Sequence, residues 1–179
     1  MIRYVILSLC LLCFMSKSVA QGKKESREYW IDKYLSVSFP LQSIKINSFY
    51  GSRVDPFTGK CKQHKGLDLR ARYEEVLSMF DGSVKSTGYD KGSGKYVILQ
   101  HGDWTISYCH LSEIWVTSQQ KLLAGDPVGI SGTTGRSTGP HLHISCRLKG
   151  QQEDPYNLLL YVRETKARAI KALRVKENN

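Results

Sequence analysis

Long apolar runs are missing from this 179-residue chain. The longest, Tyr4 to Met15, is too short to cross a bilayer comfortably, and Lys17 follows it closely. Cysteine is scarce as well. Of five in all, two lie inside that run, leaving Cys61, Cys109 and Cys146. Three thiols allow at most one internal disulfide, too few for a disulfide scaffold, and no C-x-x-C pair offers a zinc ribbon. The glycines at 129, 132 and 135 lack the Lys-Ser/Thr of a phosphate loop and the spacing of a dinucleotide fingerprint, so they read as turn residues. No internal repeat and no Pro/Ser-rich linker divides the chain. Acidic residues are in deficit, 16 against 26 Lys and Arg, for a net charge of +10. That excess favours an anionic partner such as nucleic acid, a membrane surface or a charged wall polymer. Residues 163–177 alone hold six basic and two acidic residues, so much of the charge is terminal. A nucleic-acid reader would concentrate it on a folded face, and no nucleic-acid partner is expected.

The first twenty residues read as an export signal. Arg3 supplies a positive start, the apolar run follows, and Ser18-Val19-Ala20 places small residues where a signal peptidase cuts, ahead of Gln21. Leu9 and Leu12 precede Cys10 and Cys13, where lipidation requires a small residue. The expectation is an exported protein, periplasmic or extracellular, with no stable membrane span once residues 1–20 are removed.

With 41% hydrophobic and 23% charged residues, the remainder can build a core. Tyr29, Trp30, Ile31, Tyr34 and Leu35 recur at roughly helical intervals before Pro40, predicting a short N-terminal helix within residues 21–40. Beyond Pro40 the pattern turns to β. Residues 44–50 alternate, 95–101 and 104–110 flank a Gly102-Asp103 turn as a hairpin, and 114–116, 127–131 and 141–148 supply further short strands. Leu159, Val162, Ala169, Ile170 and Leu173 mark a basic C-terminal helix within 158–179. The fold class expected is mostly β, a compact antiparallel domain over 41–157 with a helix at each end.

The histidines carry the chemistry. His101 sits in a plain hairpin, while the others fall into three local patterns. On a strand, His141 and His143 point to one face and Leu142 and Ile144 to the other. The same alternation puts Tyr108 and His110 on one face and turns Cys109 and Cys146 away from it. His64 and Asp68 stand too far apart on a straight strand to share an ion, but Gly66 lets the chain bend. Imidazoles gathered on an apolar sheet need partners, and one carboxylate with two imidazoles is a common zinc set that leaves a fourth position for water. Of four candidate imidazoles, two can bind metal and two remain for acid–base work.

The segments SFYGSRVDPFTG, HKGLDL, DGSVKSTGYDKGSGKYVILQHGDWTISYCHLS and GDPVGISGTTGRSTGPHLHIS stand in one order over residues 48–148. In these segments the chain resembles the lysostaphin-type (LytM-like) zinc metalloendopeptidases, which cut peptide bonds in bacterial peptidoglycan. The resemblance implies an antiparallel sheet with an active-site groove, one zinc ion held by His64, Asp68 and His143, and His141 and His110 as the remaining active-site histidines. His141 is favoured as the base. Peptidoglycan peptides are the implied partner. Some relatives of that family have lost ligands and act as wall-binding or amidase-activating modules; all five residues are present here. The chain departs from the family at Cys109, where glycine is common, and at residues 71–76, where a Pro/Gly turn is usual. A disulfide between Cys109 and Cys146 is one possible pairing.

Overall fold

The computed structural model describes residues 25–175; the export signal expected over 1–20 lies outside them. Helix α1 (Arg27–Leu35) begins at Ser26, whose Oγ accepts the Tyr29 amide at 3.1 Å as an N-cap. Thirteen strands follow: β1 (Ile46–Ser48), β2 (Gly51–Val54), β3 (Cys61–His64), β4 (Leu67–Arg70), β5 (Glu75–Leu77), β6 (Gly82–Asp90), β7 (Gly94–His101), β8 (Trp104–Leu111), β9 (Glu113–Ile114), β10 (Lys121–Leu122), β11 (Pro127–Ile130), β12 (His141–Leu148) and β13 (Gln151–Glu153). Helix α2 (Tyr156–Val175) ends the described chain. None of the described helices is long and apolar enough to cross a membrane.

The main sheet has eight strands in the order β1-β4-β12-β8-β7-β6-β10, with β13 paired to β12. All its pairs are antiparallel. A three-stranded sheet, β5-β11-β9, and the β2–β3 ribbon stand apart from it. The antiparallel β architecture with a helix at each end is therefore as the alternating patterns predict, and the β7–β8 hairpin and β12 fall where expected. The strands β2, β3, β5, β6, β10 and β13, short or polar, gave little periodic signal.

One face of the main sheet is dry. Leu67, Leu69, Leu99, Ile106, Leu142 and Ile144 are almost wholly buried there, joined by Leu158, Leu159 and Val162 from α2. Ile170, placed on the apolar stripe by its spacing, is instead 39% exposed, and Leu158 takes a buried position. α1 packs on α2, and Lys166 Nζ both donates to the Tyr34 carbonyl at 3.2 Å and lies 3.9 Å from that ring's centre. The opposite face of β4, β12 and β8 is left for the histidines.

Candidate metal centre

β12 lies between β4 and β8, and its alternation holds: Leu142 and Ile144 enter the core while His141 and His143 face outward. Across the β4–β12 ladder His143 stands opposite Asp68, so their side chains share a face. His64 arrives from the β2–β3 ribbon, and Lys65 and Gly66 turn the chain from that ribbon into β4. Gly66 does more than bend the chain. A Cβ there would fall against Cε1 and Nε2 of His143 and within 2.5 Å of the Ile144 carbonyl oxygen, so the missing side chain is the space the His143 ring occupies.

Three ligand atoms converge. His64 Nε2 lies 3.2 Å from His143 Nδ1 and 3.2 Å from Asp68 Oδ1, and His143 Nδ1 lies 2.7 Å from Asp68 Oδ1. A tetrahedral ion with ligand bonds of about 2.1 Å sets its ligand atoms roughly 3.4 Å apart, so this donor set fits zinc with small adjustments. Asp68 is 7% exposed. Burial opposes its ionisation, but the hydrogen bond from His143 and the close His64 ring outweigh burial and hold the carboxyl well below the usual carboxylate range. Its other oxygen, Oδ2, takes Arg53 Nη1 at 3.0 Å, and Arg53 is itself fixed by Ser48 Oγ. Arg53 lies inside one of the segments that carry the family resemblance, yet no local pattern marked its role.

Main-chain carbonyls orient three of the four rings. A carbonyl can only accept, so each fixes a proton on Nδ1 and leaves Nε2 as the free lone pair. Phe49 O does this for His64 at 2.7 Å, Gly139 O for His141 at 2.8 Å and Thr134 O for His110 at 2.8 Å. His141 Nε2 consequently points at the cluster, 3.6 Å from Asp68 Oδ1, with Ser137 Oγ 3.2 Å from its Nδ1. The His110 and His141 rings are 4.7 Å apart, and His110 is 5.8 Å from His143. Burial pushes the His110 pKa down to about 4, with the neighbouring imidazoles adding to it, so that ring is neutral at pH 7. His101 stays away, packed edge-on against Phe80 with Nδ1 on the Asp81 carbonyl.

The route by which His110 arrives corrects the alternation argument. Lys95 pairs with Leu111 but Val97 with Tyr108, so β8 carries one residue more than β7 across that interval. His110 absorbs it in a left-handed conformation, φ 62°. Tyr108 therefore faces the core, wholly buried, its hydroxyl oxygen accepting the Met79 amide at 3.0 Å. Cys109, expected to turn away, stands opposite His143 and lines the cleft. Cys146 lies on the core side, and Cys61, Cys109 and Cys146 are all free, so the disulfide pairing does not form.

The cleft above the cluster has a volume of about 440 Å³. The β2–β3 ribbon and its loop form one wall; the β6–β7 turn and residues 136–138 form the other.

Residues 62–155 match Peptidase family M23. Peptidoglycan DD-endopeptidase ShyA of Vibrio cholerae is 38% identical over 117 residues, covering 63% of this chain and 27% of that protein. The first curated relatives are long in the same way, the chain spanning between 27% and 34% of their length. Among solved structures, a zinc-containing peptidase from Vibrio cholerae superposes with a TM-score of 0.58 at 29% identity, covering 68% of this chain and 38% of that one. The catalytic domain of the antimicrobial peptidase lysostaphin from Staphylococcus simulans does so with a TM-score of 0.59 at 25% identity, covering 76% and 98%. The chain belongs to peptidase family M23.

Proposed function

From that membership, we propose that the chain is an exported zinc endopeptidase that hydrolyses peptide bonds in peptidoglycan stem peptides or cross-links. The observation that carries this reading is the convergence of His64 Nε2, His143 Nδ1 and Asp68 Oδ1 within 3.2 Å, beside two further imidazoles aimed at the same space. His64, Asp68 and His143 hold one zinc ion. When bound, that ion supplies Lewis acidity to a carbonyl oxygen and to water, bringing the pKa of the water to about 7.

The chain's own groups do the rest. Arg53 and the Phe49 carbonyl keep Asp68 and His64 in their ligating orientations. His141, its Nδ1–H held by Gly139 O, takes a proton from the attacking water on Nε2 and delivers it to the leaving amine. His110 is neutral and presents a lone pair at first. It donates to a developing oxyanion only in its protonated form, and imidazoles this close repel a second proton. Protonation of His141 during the reaction therefore disfavours protonation of His110 beside it. Retention of all five residues supports an enzyme over a non-catalytic wall-binding or amidase-activating module.

Purified protein incubated with isolated peptidoglycan is expected to release new amino termini, identified by mass spectrometry, and to stop when zinc is chelated. His141→Ala is expected to keep its metal and lose turnover. Zinc-loaded protein that cleaves nothing, or a fully active His141→Ala, would overturn the reading. Export through residues 1–20 predicts that protein recovered outside the cytoplasm begins at Gln21.

A further inference from the structure

The cleft holds more positive charge than its own carboxylates neutralise. Arg53, Lys62, Lys65 and Arg136 line it, against Asp55 and Asp68. Both carboxylates are fully engaged. Asp68 belongs to the ligand cluster and to Arg53. Asp55 accepts the amides of Phe57 and Thr58 and Arg136 Nη2 at 2.9 and 3.1 Å. Arg136 is consumed by the same contacts: its guanidinium also lies 4.1 Å from the centre of the Phe57 ring, tying one wall of the cleft to the other.

Two lysines are left over. Lys62 pairs in register with Arg53 across the β2–β3 ribbon and shares its face with His64, two residues on. Cations directly opposite on a ribbon repel. Among the described residues Lys62 forms one ion pair, with Asp55 Oδ2 at a loose 3.8 Å, and the lysine side chain is 65% exposed. Lys65 follows the ligand His64 directly, lines the cleft, and forms no ion pair among the described residues. Unneutralised charge of one sign in a cleft concentrates ligands of the opposite sign.

We propose that the cleft selects a peptide carrying a carboxylate beside the bond to be cut, with Lys62 and Lys65 as the residues that recognise it. This rests on the reading of the cleft as a peptidase site. A neutral peptide gains nothing from these two cations; an anionic one is steered and held by them.

The test compares cross-linked muropeptides with the same muropeptides after their carboxylates are converted to carboxamides, using the zinc-loaded protein at low and high salt. The wild-type protein is expected to favour the carboxylate form by about tenfold in kcat/KM, the preference shrinking as salt rises. The Lys62→Gln/Lys65→Gln protein is expected to lose most of that preference while retaining its zinc content and Tm. Equal cleavage of both forms by the wild type overturns the charge selection and leaves the peptidase reading standing. Full preference in the double variant overturns the assignment to these lysines. Failure to cut either muropeptide, or intact peptidoglycan, overturns the peptidase reading and this inference with it.

Discussion

Replacing Gly66 by alanine tests whether the metal centre is built on a steric vacancy. The added methyl would stand against Cε1 and Nε2 of His143 and 2.5 Å from the Ile144 carbonyl oxygen. Relaxed contacts lie at about 3.5 Å, so roughly 1 Å of clearance must be found. The backbone cannot supply it cheaply, because β12 is hydrogen-bonded to β4 on one side and β8 on the other around this point. The ring must give, and turning it takes Nδ1 away from Asp68 Oδ1 and His64 Nε2. Overpacking of this kind costs about 1–3 kcal/mol of stability. Displacing a ligand's support costs about 10–100-fold in metal affinity, and more is expected here because the ligand itself moves. Competition against a chromophoric zinc chelator measures the affinity, and thermal unfolding of the metal-free protein measures the strain. Gly139→Ala, whose Cβ would meet no atom within 4 Å, serves as control and should leave zinc affinity unchanged. A Gly66→Ala protein that binds zinc within twofold of wild type would refute the argument.

Three further outcomes are expected. Arg53→Met frees Asp68 Oδ2 from its 3.0 Å ion pair and should weaken zinc binding by about 10–100-fold in the same competition assay; an unchanged affinity would deny Arg53 its positioning role. Tyr108→Phe strands the buried Met79 amide and should cost about 1–3 kcal/mol in urea unfolding, with zinc affinity intact because Tyr108 faces the core; a fall in affinity would mean it shares the histidines' face after all. Burial would raise the Asp55 pKa from its ordinary 3.8, but the Phe57 and Thr58 amides and Arg136 overcome it and hold it at about 2. The lowered value means that Asp55 stabilises the loop after β2 fully above about pH 4 and loses that contribution as pH falls through about 2. The Phe57 and Thr58 amide resonances should titrate near pH 2, and a midpoint near 4 would contradict the geometry.

What could be read without coordinates depended on whether one residue's neighbours decided the outcome. His141 and His143 share a face because strand alternation is local, and Leu142 and Ile144 confirm it by their burial. His64 and Asp68 were legible as a pair through the intervening Gly66, although the glycine's larger task, making room for His143, involves a strand some eighty positions away. His110 defeated the same alternation rule. The extra residue in β8 is set by how that strand registers against β7, and nothing in Tyr108-Cys109-His110 announces it. Cys109 was misplaced for the same reason. Arg53 and Asp55 act through side chains that cross between the ribbon and the rest of the cleft, contacts that no spacing encodes.

Phe49, Thr134 and Gly139 hold the ring protons of His64, His110 and His141 through carbonyls alone. The protonation pattern of the centre is thus stored in conformation, in an atom every amino acid possesses. Side chains at these three positions can drift without rewriting that pattern, provided the loops keep their paths. A survey of variants that scores only side-chain identity would count these positions as silent. Replacing the peptide linkage there with an ester, which weakens the carbonyl as an acceptor and leaves the side chain untouched, would show how much the chemistry depends on them.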